Sequence, residues 1–282
     1  MAERTVSELA FEDYLSKQGI LFRYEELPNG ITQPVDYSFE IAGKTLRFDV
    51  KEWEPQEVPP SVYPLDPYRP VRNKIDEGRR KFKQYKGRNE PCVLVLYHYG
   101  PQFIELNDIV IFGAMRGNLG WVFPINPDTG VGNASQTKIM FINGGKMIHQ
   151  APKATVRVQN TTISAVAVLK WIRIQDRRVY IALRRREAAT GRKFTIEETF
   201  SLFPELYNAN ESVEVEPCVA VYDNLDAAVS LPHKFPGGPY DERFGKCDDR
   251  LCRTYVGTEL AAIESEEEEV GIRPQDPLGL RT

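Results

Sequence analysis

The chain has 282 residues, 41% hydrophobic and 27% charged, enough to bury a sizeable core and unlike a collagenous, mucin-like or wholly disordered protein. Its net charge of −4 hides a split: residues 259–282 carry seven acids and two bases, whereas 69–88 carry nine bases and two acids, a local +7 suited to a polyanionic partner. No apolar run approaches the roughly 18 residues of a membrane span, the start MAERTVSELAFEDYL has no secretory apolar core, and the four cysteines are scattered, so the expectation is a reduced, cytoplasmic chain with no membrane partner.

In chain order, 5–18 reads as a helix, because Val6, Leu9, Ala10, Phe11, Tyr14 and Leu15 share one broad face at about 100° per residue, with Gly19 as its stop. Strands follow at 36–41 and 45–53, joined at Ala42-Gly43-Lys44, and then a proline-rich loop over 54–68. A basic helix spans 71–86 and ends at Gly87, and the continuous apolar run 91–97 has the character of a buried strand. The middle, 100–160, reads as loops and short elements, with Gly130-Val131-Gly132-Asn133 and Asn143-Gly144-Gly145-Lys146 as turns. Residues 163–174 and 179–183 read as a hairpin around Gln175-Asp176-Arg177, 219–222 as a strand, and 232–258 as irregular. The organisation expected is one domain over 1–258 (core 1–100, elaboration 101–258) and an acidic, disordered tail over 259–282. Cys92, Cys218, Cys247 and Cys252 contain no C-x-x-C pair, so no zinc site is expected.

The chemistry lies in 34–53. Along the second strand Leu46, Phe48 and Val50 share one face, and Arg47, Asp49 and Lys51 the other. A turn at Gly43-Lys44 sets residues whose numbers sum to 87 opposite each other, and Asp36 then faces Lys51; a turn at Ala42-Gly43 gives a sum of 85 and sets Asp36 opposite Asp49. Either register gathers Asp36, Asp49 and Lys51 on one face. Two carboxylates so close need a neutralising charge, and a hard divalent cation meets that need through oxygen ligands and water. The protonated lysine orients an attacking water or offsets charge on a phosphate. Glu8, on the rim of the helix's apolar stripe, is a third candidate acid, while Glu52 points to the opposite face of its strand and reads as a solvated neighbour.

A helix bearing Glu8, then Asp36 at the start of a strand, then Asp49-Val50-Lys51 on the next strand, then a basic helix and an apolar strand, resembles the PD-(D/E)xK nuclease superfamily, the fold of restriction endonucleases and archaeal Holliday-junction resolvases. Members often have proline directly before the first aspartate; here Pro34-Val35-Asp36 puts it one residue earlier. The resemblance covers about 5–97. It implies an α/β fold with a mixed central sheet flanked by helices, a restriction-endonuclease-like core and a C-terminal elaboration.

It also implies a Mg²⁺-dependent nuclease, with Mn²⁺ able to substitute, hydrolysing phosphodiester bonds in DNA. Glu8, Asp36 and Asp49 would be metal ligands, and Lys51 would join them as a catalytic residue. In some members the following helix presents a further basic or amide residue to the phosphate, and Lys74, Lys81 and Gln84 are the candidates here; with Arg79, Arg80 and Lys83 they form the expected nucleic-acid surface. The alternative is a protein of this fold that binds nucleic acid or a protein partner without cutting. The oligomeric state is left open, a homodimer being one option.

Overall fold

The computed structural model describes residues 3–53, 66–99, 106–122, 138–150, 156–206, 215–247 and 250–272. Residues 54–65 of the loop expected over 54–68, the turn at 130–133 and the chain beyond 272 lie outside the described residues.

The first helix, α1 (Val6–Lys17), starts where the sequence provides a full set of cap acceptors. The Thr5 side chain accepts from Glu8 N–H, and Glu8 Oε2 accepts from Thr5 N–H at 2.7 Å, a reciprocal capping box. Glu52, expected to be a solvated neighbour, instead accepts from Ser7 N–H at 2.9 Å and satisfies a third free donor of the helix end. Ala10, Phe11, Tyr14 and Leu15 are buried, as the periodicity requires.

After the two-residue strand β1 (Arg23–Tyr24) come β2 (Tyr37–Ile41) and β3 (Lys44–Trp53), an antiparallel hairpin. Tyr37 pairs with Phe48 and Ile41 with Lys44, so the sum-of-85 register is the one adopted. Its turn residues Ala42 and Gly43 have φ of 53° and 73°, both left-handed, the signature of a type I′ turn. The helix α2 (Arg69–Phe82), extended by a 3₁₀ turn over Lys83–Tyr85, crosses to β4 (Cys92–His98), which lies parallel to β3.

The rest comprises α3 (Asp108–Arg116), the ladders β5 (Gly117–Val122) with β6 (Lys138–Gly144) and β7 (Ile148–Gln150) with β8 (Val156–Val158), then β9 (Ala165–Arg173), α4 (Ile174–Thr190), α5 (Ile196–Leu206), β10 (Val215–Asp223), β11 (Glu242–Cys247), β12 (Arg250–Val256) and α6 (Thr258–Glu269). Among the described residues, eight strands form one mixed sheet in the order β1-β2-β3-β4-β9-β10-β11-β12, with β3, β4 and β9 parallel. The chain is therefore α/β, a mixed sheet flanked by helices. One face packs α1 through Phe11, Tyr14 and Leu15 on Phe48, Val50 and Val95. The other packs α2 and α3 through Val71, Ile75, Phe82 and Phe112 on Leu94, Leu96 and Val166.

The structure departs from the sequence expectations at several places. Residues 174–190 are a helix, not the return strand of a hairpin. The alternation of Val179, Ile181 and Leu183 imitates a strand, but all three fit helical turns in which Ile174 and Ile181 lie one above the other. Residues 108–116 also form a helix, capped by Asn107, whose side chain accepts from Val110 N–H at 3.0 Å. Residues 242–256, expected to be irregular, form β11 and β12, and Cys247 and Cys252 form a disulfide across that hairpin with Cα atoms 5.8 Å apart. Cys92 and Cys218 are buried free thiols, so only these two fit the reduced reading.

The acidic stretch 258–269 is not a disordered tail. It is α6, whose Leu260 and Ile263 are buried, Ile263 against Ile174 and Ile181 of α4. Its carboxylates have partners: Glu264 pairs with Arg253 at 2.7 Å, and Glu267 takes two hydrogen bonds from Arg177, at 2.8 and 2.5 Å. Opposite charge on a neighbouring element offsets the repulsion that the sequence alone displays.

Candidate active site

Register brings the two aspartates together. The β2–β3 ladder ends at Tyr37 and Phe48, and one further step along it sets Asp36 beside Asp49 on the face turned toward α2. Asp36 is 7% exposed and Asp49 fully buried. Asp36 Oδ2 accepts from the backbone N–H of Val50 at 2.6 Å, which locks the carboxylate against β3.

From the other side comes α2. Gly78 lets that helix lie close on β4, since a Cβ there would stand 2.8 Å from Leu94 Cδ1. One turn later Lys81 reaches both acids, its Nζ 2.6 Å from Asp36 Oδ1 and 2.7 Å from Asp49 Oδ1. Lys51 Nζ is 3.0 Å from Asp49 Oδ2, an ion pair without a hydrogen bond of good angle, so Oδ2 is a buried oxygen that receives no hydrogen bond. Two carboxylates and two ammonium groups thus meet in one largely buried cluster.

Burial, and then the Asp49 charge, push the Asp36 carboxyl up to about 6, against the pull of Lys81. Burial alone would lower Lys81, but the Asp49 and Asp36 charges and their hydrogen bonds outweigh it and hold the ammonium above its ordinary range. The two aspartates thus favour the charged form of Lys81.

Glu8 does not join this pair. It sits on α1, across the sheet from α2, and its carboxylate is taken up by Thr5 N–H and by the Tyr24 hydroxyl, which donates to Oε1 at 3.3 Å. No group of three His, Cys, Asp or Glu side chains able to hold a metal occurs among the described residues. The three-carboxylate set expected from the sequence is thus a pair, with Glu8 apart from it. Tyr24, unmarked in the sequence, lies between: burial, then the Glu8 and Glu25 charges, and more weakly that of Asp36, push its phenol up to about 12. Its position follows from the two-residue β1 ladder, in which Tyr24 pairs with Tyr37, and no motif announces it.

The other candidates on α2 divide. Lys74 pairs with Glu77 at 3.2 Å and lies 5.9 Å from the Trp53 ring centre. Gln84 accepts from Thr32 N–H and its hydroxyl, both at 2.9 Å, and holds the 32–33 loop. Arg79 donates to Asn160 at 3.2 Å. Arg80 and Lys83 are exposed and point away from the core. Of Lys74, Lys81 and Gln84, Lys81 is the one whose hydrogen bonds reach Asp36 and Asp49.

Comparison of the chain with family models, with curated proteins and with solved structures finds no match.

The residues present fit a small hard cation. Asp36 and Asp49 are oxygen donors close enough to share one ammonium, and the Asp49 Oδ2 lone pairs lack a hydrogen-bond donor. Mg²⁺ is commonly held by one or two carboxylates, with water and substrate phosphate completing its shell.

Proposed function

We propose that the protein is a metal-dependent nuclease acting on DNA, built on a PD-(D/E)xK-type core. The observation that carries this reading is the pair of buried carboxylates, Asp36 and Asp49, sharing one ammonium beside a second lysine two residues along the same strand face. The order α1-β1-β2-β3-α2-β4 supports it, as does the exposed charge of Arg80 and Lys83 on the helix that reaches the pair.

Asp36 and Asp49 would hold Mg²⁺, or Mn²⁺ in its place. The bound ion supplies Lewis acidity toward the phosphate and a more acidic water. The protein's own share is positional. Lys51 orients the attacking water and offsets charge growing on the phosphate. Lys81 leaves the carboxylates for a phosphate oxygen, where its charge is matched by the substrate. Glu8 acts at one remove, by orienting Tyr24.

The test is incubation of the pure protein with supercoiled plasmid and with single-stranded DNA, in Mg²⁺, Mn²⁺ or EDTA. Cleavage in either metal, absent in EDTA and lost in Asp49→Asn, is the expected result. One observation favours the alternative, a nucleic-acid binder that does not cut: Lys81 pairs with both acids and Lys51 with Asp49. DNA binding with no cleavage in either metal would establish that reading and overturn the first.

A further inference from the structure

Residues 173–193, which comprise the end of β9, α4, its C-cap Gly191 and the two residues beyond, hold eight Arg and Lys against two acids, a local +6. Residues 258–269, which form α6, hold six acids and no base, a local −6. The two helices are in contact. Ile263 of α6 packs on Ile174 and Ile181 of α4, and the wheel of α4 sets two rows of arginine along the flanks of that seam, Arg177 with Arg184 and Arg178 with Arg185, each pair seven residues apart. From α6, Glu267 grips Arg177 at 2.5 Å, while Glu266 and Glu269 reach Arg185 at 3.1 and 3.8 Å.

These contacts are of two kinds. The Arg177–Glu267 pair is largely buried and doubly bonded, an anchor. The pairs to Arg185 are open to water, with side chains 53%, 46% and 69% exposed for Arg185, Glu266 and Glu269. Exposed pairs are individually weak and yield to a competing polyanion.

Position adds to composition. Lys51 pairs with Leu96, and Leu96 with Val168, along the parallel strands β3, β4 and β9. β9 continues to Arg173, and α4 begins there, so the basic helix emerges at the carboxyl end of β9, which runs parallel, through β4, to the strand that carries Asp49 and Lys51. In open α/β sheets that end is where ligands bind.

We propose that α4 is a second phosphate-contacting surface for the nucleic acid, and that α6 is a built-in polyanion which covers it and weakens binding until displaced. This rests on the nucleic-acid reading above, and it adds a surface and a self-imposed brake that the carboxylate site does not contain. A nucleic-acid backbone is favoured over an acidic protein because the two rows are purely charged, whereas protein interfaces draw their affinity from buried aromatic and aliphatic anchors.

The experiment is fluorescence anisotropy with a short labelled duplex at low salt in EDTA, so that cleavage plays no part. The variant is Glu266→Gln/Glu268→Gln/Glu269→Gln, which keeps Leu260, Ile263 and Glu267; the single Glu269→Gln serves if the triple variant melts early. The control is Glu3→Gln/Asp13→Asn/Glu40→Gln, three solvent-facing acids outside α4, α5 and α6, with the same change in net charge. Expected is binding about fivefold tighter in the α6 variant than in the control, with a salt slope steeper by about one to two, as one or two further phosphate contacts imply. The gain should vanish when Arg178→Ala/Arg185→Ala is added.

Equal gains in variant and control, or a gain that survives loss of those arginines, would overturn the proposal and leave the nucleic-acid reading standing. Tighter binding of a poly-glutamate peptide than of the duplex would show an acidic protein to be the occupant and also overturn it. No duplex binding by any form would instead bring down the nucleic-acid reading itself.

Discussion

The Lys81 ammonium lies 2.6 Å from Asp36 Oδ1, and Asp36 stands at the entry to β2, across the cleft from α2. A helix and a hairpin are thereby tied, through residues 45 apart in the chain, at the point where the chemistry is placed. The same contact makes Lys81 a rival of any divalent ion for the two carboxylates.

Lys81→Met tests that rivalry. Without the ammonium, Asp36 and Asp49 repel, and the metal-free protein should lose about 3–5 kcal/mol of stability, the scale of a broken buried pair. Mn²⁺ should bind at least about tenfold more tightly than to the parent, because no resident cation must leave; that corresponds to about 1.4 kcal/mol. Isothermal titration with Mn²⁺ measures the affinity, and melting with and without Mn²⁺ the stability. Equal Mn²⁺ affinity in both proteins would show that Lys81 does not compete for the site.

Much of this site is legible in the sequence, and the parts that are not have identifiable causes. The alternation in β3 gives Asp49 and Lys51 a common face, and either turn places Asp36 with them. The choice between registers turns on Ala42, which takes a left-handed φ that an alanine side chain disfavours, so the turn chemistry alone points to Gly43-Lys44. Lys81 cannot be separated from Lys74 and Gln84 by pattern, because the choice depends on how α2 rolls on β4, and Gly78 sets that through a close approach no periodicity records. Glu8 is the helix-rim acid that its position on the wheel implies; its use in the cap is local to Thr5 and Glu8, but its use by Tyr24 depends on β1, two residues long. The helix α6 is hidden in the sequence because its stabilising arginines lie elsewhere in the chain, on α4 and β12.

Asp36 gives a pH signature. Its folded-state value, about 6, stands above its ordinary 3.8, so between about pH 4 and 6 the folded state keeps a proton that the unfolded chain has released. Its contribution to stability is therefore complete below about pH 4 and declines as pH rises through 6. Relative to Asp36→Asn, which cannot titrate there, the parent should lose on the order of 2 kcal/mol from pH 4 to pH 7. Urea unfolding at a series of pH values gives the difference directly. A difference that is flat, or that grows with pH, would mean that the carboxyl is not held in its protonated form by burial.

Packing of α6 is testable by a single truncation. Ile263 is 5% exposed and bridges to Ile174 and Ile181. Ile263→Ala should cost about 2–4 kcal/mol, as for other buried aliphatic deletions. Thermal melting with proteolysis of the C-terminal region checks both stability and attachment. An unchanged melting temperature together with unchanged protease resistance would return α6 to the status of a solvated tail.

Lys51 and the exposed bases of α2 should divide the work between catalysis and binding. Lys51 lies two residues beyond Asp49 on the same strand face, 3.0 Å from its Oδ2 and 23% exposed, so it is at the acids and still reachable from solvent. Lys51→Met keeps the aliphatic stem and removes the ammonium. If that charge serves the reaction, single-turnover cleavage in Mg²⁺ should fall by about 10²-fold or more, the scale of a lost positioned electrostatic group. DNA affinity in EDTA should change little, because one contact among several carries little of the total. Arg80 and Lys83 are solvent-facing on α2, and their reversal to glutamate should do the opposite: weaker binding and a shallower salt slope, with a small effect on the rate at saturating DNA. Measuring both quantities on both variants separates the roles. Should Lys51→Met lose affinity and rate in equal proportion, Lys51 is a phosphate anchor, and the attacking water must be oriented by another group.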